Sequence, residues 1–328
     1  MTRTQKTITG DTVTKYLEQY PHQSSLSLAR MIYTENPLAF TNVEHVRTII
    51  RRYKGANGER ARKYLTDRRF VQNEPYMPEG EEPDYSPYAL PKVNNRILFL
   101  CDIHLPFHDL KSVKIALEDA KDKDCNTVIL GGDIVDFYQL SVFDKVPNKS
   151  MFVHERELFW QLIDYINSVL PNAKIIWIEG NHEYRFERYM LRKCAEIYGV
   201  DDFSFENVFS LRELGVEWVS GKRFITAGDL NIMHGHEVGI TSSSVNPARG
   251  MYMKAVASTV FGHLHKTSEH NKPDLRGNVV TCYSVGTLAQ LHPQYRPIND
   301  WNTGFALIEI HQDGFMVKNK KIVGGKIQ

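Results

Sequence analysis

Residues 174–190 read KIIWIEGNHEYRFERYM. The apolar run Lys174-Ile-Ile-Trp-Ile178 stops at Gly180, and an amide, an imidazole and a carboxylate (Asn181, His182, Glu183) then stand side by side. Gly and Asn are ordinary turn formers, and Glu suits a helix N-terminus. Read alone, the stretch is a strand, a turn and a helix. The question is why three polar side chains crowd the end of a strand.

The same punctuation recurs along the chain. RILFLCDIH, TVILGGDIV and LNIMHGH are short, nearly continuous apolar runs that each end at Gly or a polar cluster, while DLKSVKIALEDAKD and ERELFWQLIDYINSVL between them have helical period. Alternating strands and helices with fully apolar strands imply parallel strands buried on both faces. From Ala255 onward ASTVFGHLH, NVVTCYSVGTLA and GFALIEIHQDGFMVKNKKIVGG read as further strands, with Asp313-Gly314 as a hairpin signal. The expected fold is α/β, a sandwich of mixed sheets flanked by helices and preceded by a small helical domain.

Length and composition limit the function classes. The 328 residues suggest about two domains. Lys+Arg 40 against Asp+Glu 39 leaves a net charge of +1, so no global field draws the chain to nucleic acid or membrane. No apolar run of about 18 residues and no signal-peptide core are present, so a soluble cytoplasmic protein is expected, with no membrane partner. Cys101, Cys125, Cys194 and Cys282 are scattered without a C-x-x-C pair and read as buried thiols. Asn73 to Val93 holds five prolines and five acidic residues, a linker or an extended strap. The domains are therefore read as a helical unit at 1–72, a linker at 73–94 and a main domain at 95–328.

The strand ends carry Asp102-Ile-His104, Gly132-Asp133-Ile-Val-Asp136, Gly180-Asn181-His182-Glu183, His234-Gly-His236 and Gly262-His263-Leu-His265. Open α/β sheets place ligands at the carboxyl ends of their strands, so these clusters can converge in one crevice. In an extended backbone the members of Asp102-x-His104 and His263-x-His265 point to the same side. Carboxylate, imidazole and amide donors without thiolate suit hard or borderline divalent ions. The donors exceed one tetrahedral site and fit two ions sharing a carboxylate, about 3.5–4 Å apart.

The order D-x-H, G-D-x-x-D, G-N-H-E, H-G-H, G-H-x-H resembles the calcineurin-like metallophosphoesterase superfamily, over Ile97 to His265. The resemblance implies a four-layered αββα sandwich. It also implies two divalent ions, manganese foremost, with iron, zinc, nickel or magnesium as alternatives. Asp102, His104, Asp133 and His265 would hold one ion, Asp133, Asn181, His234 and His263 the other, with Asp133 as the bridge. A metal-bridging hydroxide would attack a phosphate ester in line. His182 would be the general acid, Glu183 would orient its imidazole, and Asp136 would orient His104. Glu183 as a plain helix-start carboxylate stays open.

Departures within the superfamily narrow the substrate. The serine/threonine phosphatases place an Arg after the bridging motif, where this chain has Phe137, and the purple acid phosphatases place a tyrosine where it has Asp136. What remains is the branch of phosphodiesterases and nucleases, with small-molecule phosphomonoesterases or nucleotide phosphatases as the alternative and a noncatalytic scaffold as the rival class. A helical insertion at about 183–212 carries Arg185, Arg188 and Arg192 on one face, a phosphate contact or a solvated stripe. The loop Gly239 to Lys254 offers Ser242 to Ser244 and, as a phosphate clamp, Arg249. His236 is a further substrate-contact candidate.

Before the linker the charge balance breaks down. From Val46 to Phe70, nine cations, among them Arg47, Arg51, Arg52, Lys54, Arg60 and Arg62, face only Glu59 and Asp67. Helical spacing of Leu28, Ala29, Ile32, Val46 and Ile50, with Thr41 as an N-cap and Glu44 at N3, predicts a helix, a loop and a second helix from Val43 to about Tyr53. This resembles helix-turn-helix units and suggests DNA or RNA as a partner. A protein-docking or purely structural bundle is the alternative.

Overall fold

The computed structural model describes residues 3–54, 85–142, 144–145, 151–240 and 245–328. Arg60, Arg62, Ser242 to Ser244 and most of the linker lie outside the described residues. The chain divides into two compact units, Met1–Pro83 and Asp84–Gln328.

In the first unit, α1 (Arg3–Gln19), α2 (Ser25–Glu35) and α3 (Val43–Tyr53) enclose a core of Val13, Leu17, Leu28, Ala29, Ile32, Val46 and Ile50. Spacings of three and four put these side chains on one face of each helix. The cap of α3 is Asn42, whose side chain accepts from the N–H of His45, in place of the expected Thr41. Asn suits an extended N-cap slightly better than Thr, and here it stands one residue nearer the first helical turn. The connection at residues 36–42 is longer than the three or four residues of a tight helix-turn-helix. Arg51 and Arg52 are exposed, and Arg47 pairs with Glu44 on the same helix.

The second unit begins with strand β1 (Tyr88–Ala89), within the Pro-rich segment, which pairs in parallel with β6 (Ile225–Ala227). Strands β2 (Arg96–Leu100), β3 (Thr127–Leu130), β4 (Lys174–Ile178) and β5 (Val216–Val219) run parallel in a seven-stranded sheet. The antiparallel strands β11 (Gly304–His311), β12 (Gly314–Val323) and β13 (Lys326–Ile327) extend it in the order β13-β12-β11-β2-β3-β4-β5. A six-stranded sheet adds β7 (Leu230–Met233), β8 (Thr259–Phe261), β9 (Ser268–Pro273) and β10 (Val279–Ser284), in the order β1-β6-β7-β8-β10-β9.

Strand alternation sorts the apolar residues into layers. Ile97, Phe99, Ile129 and Ile176 face Ile225, Ile232 and Val260 between the sheets. Leu98, Leu100, Val128 and Trp177 point the other way, under α4 (Leu110–Asp122) and α5 (Phe152–Val169). On the outer face of the second sheet Met233, Phe261 and Cys282 meet Ala248 and Met251 of α8 (Pro247–Ala255). The result is the sandwich of mixed sheets flanked by helices expected from the pattern, in the αββα order that the resemblance implies. The insertion, with α6 (Tyr184–Lys193) and α7 (Phe205–Val208), is built into this core: Phe209 is fully buried, its ring 5.5 Å from Phe159 and 5.6 Å from Trp177. No helix among the described residues is long and apolar enough to cross a membrane.

Candidate metal centre

Parallel strands β2, β3 and β4 of one sheet and β7 and β8 of the other end together, and the polar clusters follow those ends. The structure brings Asp102, His104 and His265 into one group of ligand atoms, and Asp133, His234 and His263 into another, each within 4.8 Å. A third group, His104, Asp133 and His182, links them. Asp133 Oδ2 lies 3.4 Å from His234 Nε2, 3.7 Å from His182 Nε2 and 3.9 Å from His104 Nε2, so one oxygen faces both sets. Asn181 Oδ1 is 3.1 Å from His234 Nε2.

Convergence is reached by a different backbone from the extended pairs expected. Asp102, His104, Asp133, His263 and His265 all have φ between 51° and 68°. In this left-handed region the chain turns at each residue, so a polar side chain is delivered sideways out of the strand's line. One consequence is that His263 and His265 go to different groups. Gly180 is required for contact: a Cβ there would collide with the Asp133 backbone nitrogen and come within 2.6 Å of Glu183 Oε2.

The hydrogen-bond partners fix which imidazole nitrogens face inward. His234 Nδ1 lies 2.8 Å from the Gly131 carbonyl, which can only accept, so Nδ1 carries a proton and Nε2 is the atom aimed at Asp133. His104 Nδ1 likewise donates to Asp136 Oδ1 at 3.1 Å, leaving Nε2 inward, where it meets His265 Nε2 at 3.3 Å. Asp102 Oδ1 is buried and accepts no hydrogen bond, although His265 Nε2 is 3.1 Å away. Inward nitrogens that meet only one another, an amide oxygen and carboxylates, beside a buried carboxylate oxygen that accepts nothing, are a donor set for a cation, and the residues fit divalent ions.

Electrostatics agree. Burial alone would raise the Asp133 carboxyl, but the imidazoles of His182 and His234 hold it well below the usual carboxylate range. Burial also works against charge on His234, yet Asp133 outweighs it and pushes that ring up to about 10. A field that favours a proton there favours a metal cation in its place. Burial and the neighbouring His234 push His236 down to about 3 and His263 to about 4, so both are neutral at pH 7.

One expected role changes. Glu183 does not touch the His182 ring. Its carboxylate, 1 % exposed, accepts the backbone N–H of Gly180 and Asp133 at 2.8 Å on Oε2, and of Ile134 and Val135 at 2.8 and 3.3 Å on Oε1. Its side chain therefore neither partners the imidazole nor caps the helix at whose start it stands: it gathers the turns that carry Asp133 and Asn181. The His182 partner is Asp136, whose carbonyl accepts from Nδ1 at 2.8 Å and whose Oδ1 is 3.3 Å from the same nitrogen. Arg185 donates from Nη1 to that carbonyl at 2.8 Å and stands with Nη2 2.9 Å from His182 Nε2.

Of the other expected contacts, His236 lies beside the centre, its ring 5.3 Å from His234 and 6.2 Å from His263. The structure does not bring Arg249 there: it is exposed at the start of α8 and lines an open groove with Val245, Asn246, Gly250 and Met253. The Asn246 side chain caps that helix by accepting from the Arg249 N–H. Sequence reasoning missed Phe107, Tyr138, Tyr295 and Trp301, which adjoin His104, Asp136 and His265 in one cavity. Nothing in a local period marks them.

The sequence profile of the calcineurin-like phosphoesterases matches residues 95–280, more than half of the chain. The chain belongs to that family and is a metal-dependent phosphoesterase. Relatives are the gene 54 proteins of mycobacteriophages L5 and D29, 27% and 25% identical over 252 and 251 residues, each match covering 71% of this chain and 96% of the phage protein. Among solved structures, zinc-complexed Vps29 from Entamoeba histolytica is 15% identical, with a TM-score of 0.38 over 71% of this chain and 96% of that one. Yfce, a phosphoesterase from E. coli, is 14% identical, with a TM-score of 0.33 over 68% and 98%.

Proposed function

We propose that the protein is a phosphodiesterase acting on nucleic acid, with Asp102, His104, Asp133, Asn181, His234, His263 and His265 holding two divalent ions. The observation that carries this reading is the position of Asp133, one of whose oxygens faces imidazoles from both ligand groups. Manganese, foremost in what the resemblance implies, is the ion to test first, and the nitrogen and oxygen set suits iron, zinc or nickel as well.

When bound, such ions neutralise phosphoryl oxygens and lower the pKa of a coordinated water. The chain's own residues do the rest. Arg185, the guanidinium hydrogen-bonded at the centre's rim, is placed to bind one phosphoryl oxygen. His182, anchored through Nδ1 by Asp136, presents Nε2 as the atom that gives a proton to the leaving oxygen. In the resting arrangement Nε2 accepts from Arg185, so the guanidinium must move onto the phosphate and Nε2 must take up a proton from solvent before His182 can donate. The exposed Arg51 and Arg52 of the first unit, with Arg47, Lys54, Arg60 and Arg62, support a nucleic-acid tether that would raise the local concentration of diester.

Hydrolysis of bis(p-nitrophenyl) phosphate and p-nitrophenyl phosphate by the full chain with added Mn²⁺, before and after chelation, tests the reading. Faster turnover of the diester, lost on chelation, is expected. Preference for the monoester would replace it with a phosphomonoesterase, and no turnover of either would favour a scaffold.

A further inference from the structure

Beside the metal centre lies a cavity of about 250 Å³. His104, Asp136 and His265 form one side of it. Phe107, Tyr138, Tyr295 and Trp301 supply aromatic walls, and Gln290 and Gln294 supply amides. Trp301 packs edge-on against the ligand candidate His265, ring centres 4.2 Å apart, and Phe107 meets Tyr138 at 6.2 Å. Tyr295 is 76% exposed, its ring 6.3 Å from Trp301, so its face is open to a guest.

This wall is built in advance. Gln290 N–H donates to the Phe107 carbonyl at 2.9 Å, which ties the start of the loop to the segment carrying His104. Asn299 Nδ2 donates to the carbonyls of Leu291 and Arg296 at 2.6 and 2.8 Å, its Oδ1 accepts from Trp301 N–H at 3.0 Å, and Lys266 pairs with Asp300.

The chemistry of the lining selects its guest. Among the described residues no Lys or Arg lines the cavity, and the nearby Arg296 guanidinium stands over the Trp301 ring, 5.6 Å from its centre, so the lining suits a ring better than a second phosphate. Aromatic faces with amide edges suit a planar ring carrying hydrogen-bonding groups. The volume lies below the roughly 300–1,000 Å³ of pockets for drug-sized ligands, so it takes one ring system and not a base pair. We infer that the cavity receives one unpaired nucleobase of the ester being cleaved, stacked on the exposed face of Tyr295 with Trp301, tilted 62° to it, closing one edge, an inference that rests on the phosphoesterase reading of the centre. The base comes from a single strand or from a free nucleotide ester. A duplex would have to flip it out first.

The test uses the full chain with Mn²⁺ and two diesters of equal charge and leaving group, thymidine 5′-(p-nitrophenyl) phosphate and methyl p-nitrophenyl phosphate. The thymidine ester should have the higher kcat/KM by about 5- to 150-fold, the range for one stacked base, and Tyr295→Ala should collapse that ratio toward one, mainly through KM. A ratio near one in the natural chain, or a ratio untouched by Tyr295→Ala, overturns the inference. Faster cleavage of a single-stranded oligonucleotide than of its duplex assigns the base to a strand, and a base advantage confined to the mononucleotide ester assigns it to free nucleotides. A duplex cleaved as fast as the single strand also counts against it. If neither diester is hydrolysed, the catalytic reading fails, and quenching of tryptophan fluorescence by thymidine 5′-monophosphate decides on the cavity alone: quenching lost in Trp301→Phe supports it, and no quenching in the natural chain overturns it.

Discussion

The carboxylate of Glu183 accepts the backbone N–H of Asp133 at 2.8 Å, across a separation of 50 residues. With its other three backbone bonds it holds two strand ends in register, so the carboxylate that faces both ligand groups is positioned from behind by a second carboxylate. Glu183→Gln replaces an acceptor-only group with one whose NH₂ must face backbone donors. Expected is a loss of roughly 2–4 kcal/mol, seen as a fall in Tm of about 4–16 °C. Denaturation scans of both proteins check it, and an unchanged Tm would show that the four bonds hold nothing.

Asp133→Asn should abolish turnover and weaken the binding of both ions, because a neutral amide leaves two cations facing each other. Metal content after dialysis, together with activity, measures this. Half the activity with both ions retained would remove Asp133 from the bridging position.

His182→Ala should leave metal content intact and lower catalysis by about 10²–10⁴-fold, the scale for one acid or base. The loss should be smaller for aryl esters, whose leaving group needs no proton, than for alkyl esters. Equal losses on both would mean that His182 is not the acid. Arg185→Ala should raise KM, as expected for a residue that binds phosphate.

Thiol reactivity should separate the four cysteines. Burial pushes Cys125 and Cys282 up to about 11 and Cys101 well above the ordinary thiol value, while Cys194 is half-buried rather than enclosed. A raised thiol pKa makes thiolate scarce until the pH approaches that value, so at pH 8 the buried three should react about a hundredfold or more slower than an ordinary exposed thiol. Titration with Ellman's reagent should show one fast thiol in the native protein and four after unfolding. Four fast thiols in the native protein would contradict this packing.

For the first unit, DNA binding by the full chain should fall steeply with salt. Arg51→Ala with Arg52→Ala should reduce the logarithmic slope by about two, near 0.9 for each phosphate that is no longer neutralised. A salt series with each protein decides. No binding at low salt would leave the nuclease reading with its metal centre alone.

What the sequence by itself determined is the set of local patterns: apolar runs that end at Gly, the helical periods between them, the αββα class, and the order of motifs that places Asp102, Asp133, Asn181, His234 and His263 at strand ends. These are legible because strand and helix periods act over a few residues. Tertiary structure decided the rest. The left-handed turns at the ligands, the bonds from Glu183 to the Asp133 segment, the contact of Arg185 with His182 and Asp136, and the aromatic wall from Tyr295 and Trp301 all depend on which strand ends lie side by side. His104 and His265 stand 161 positions apart and meet at 3.3 Å. No local period encodes such a meeting, because it is set by the register of the two sheets and by the burial that holds them together.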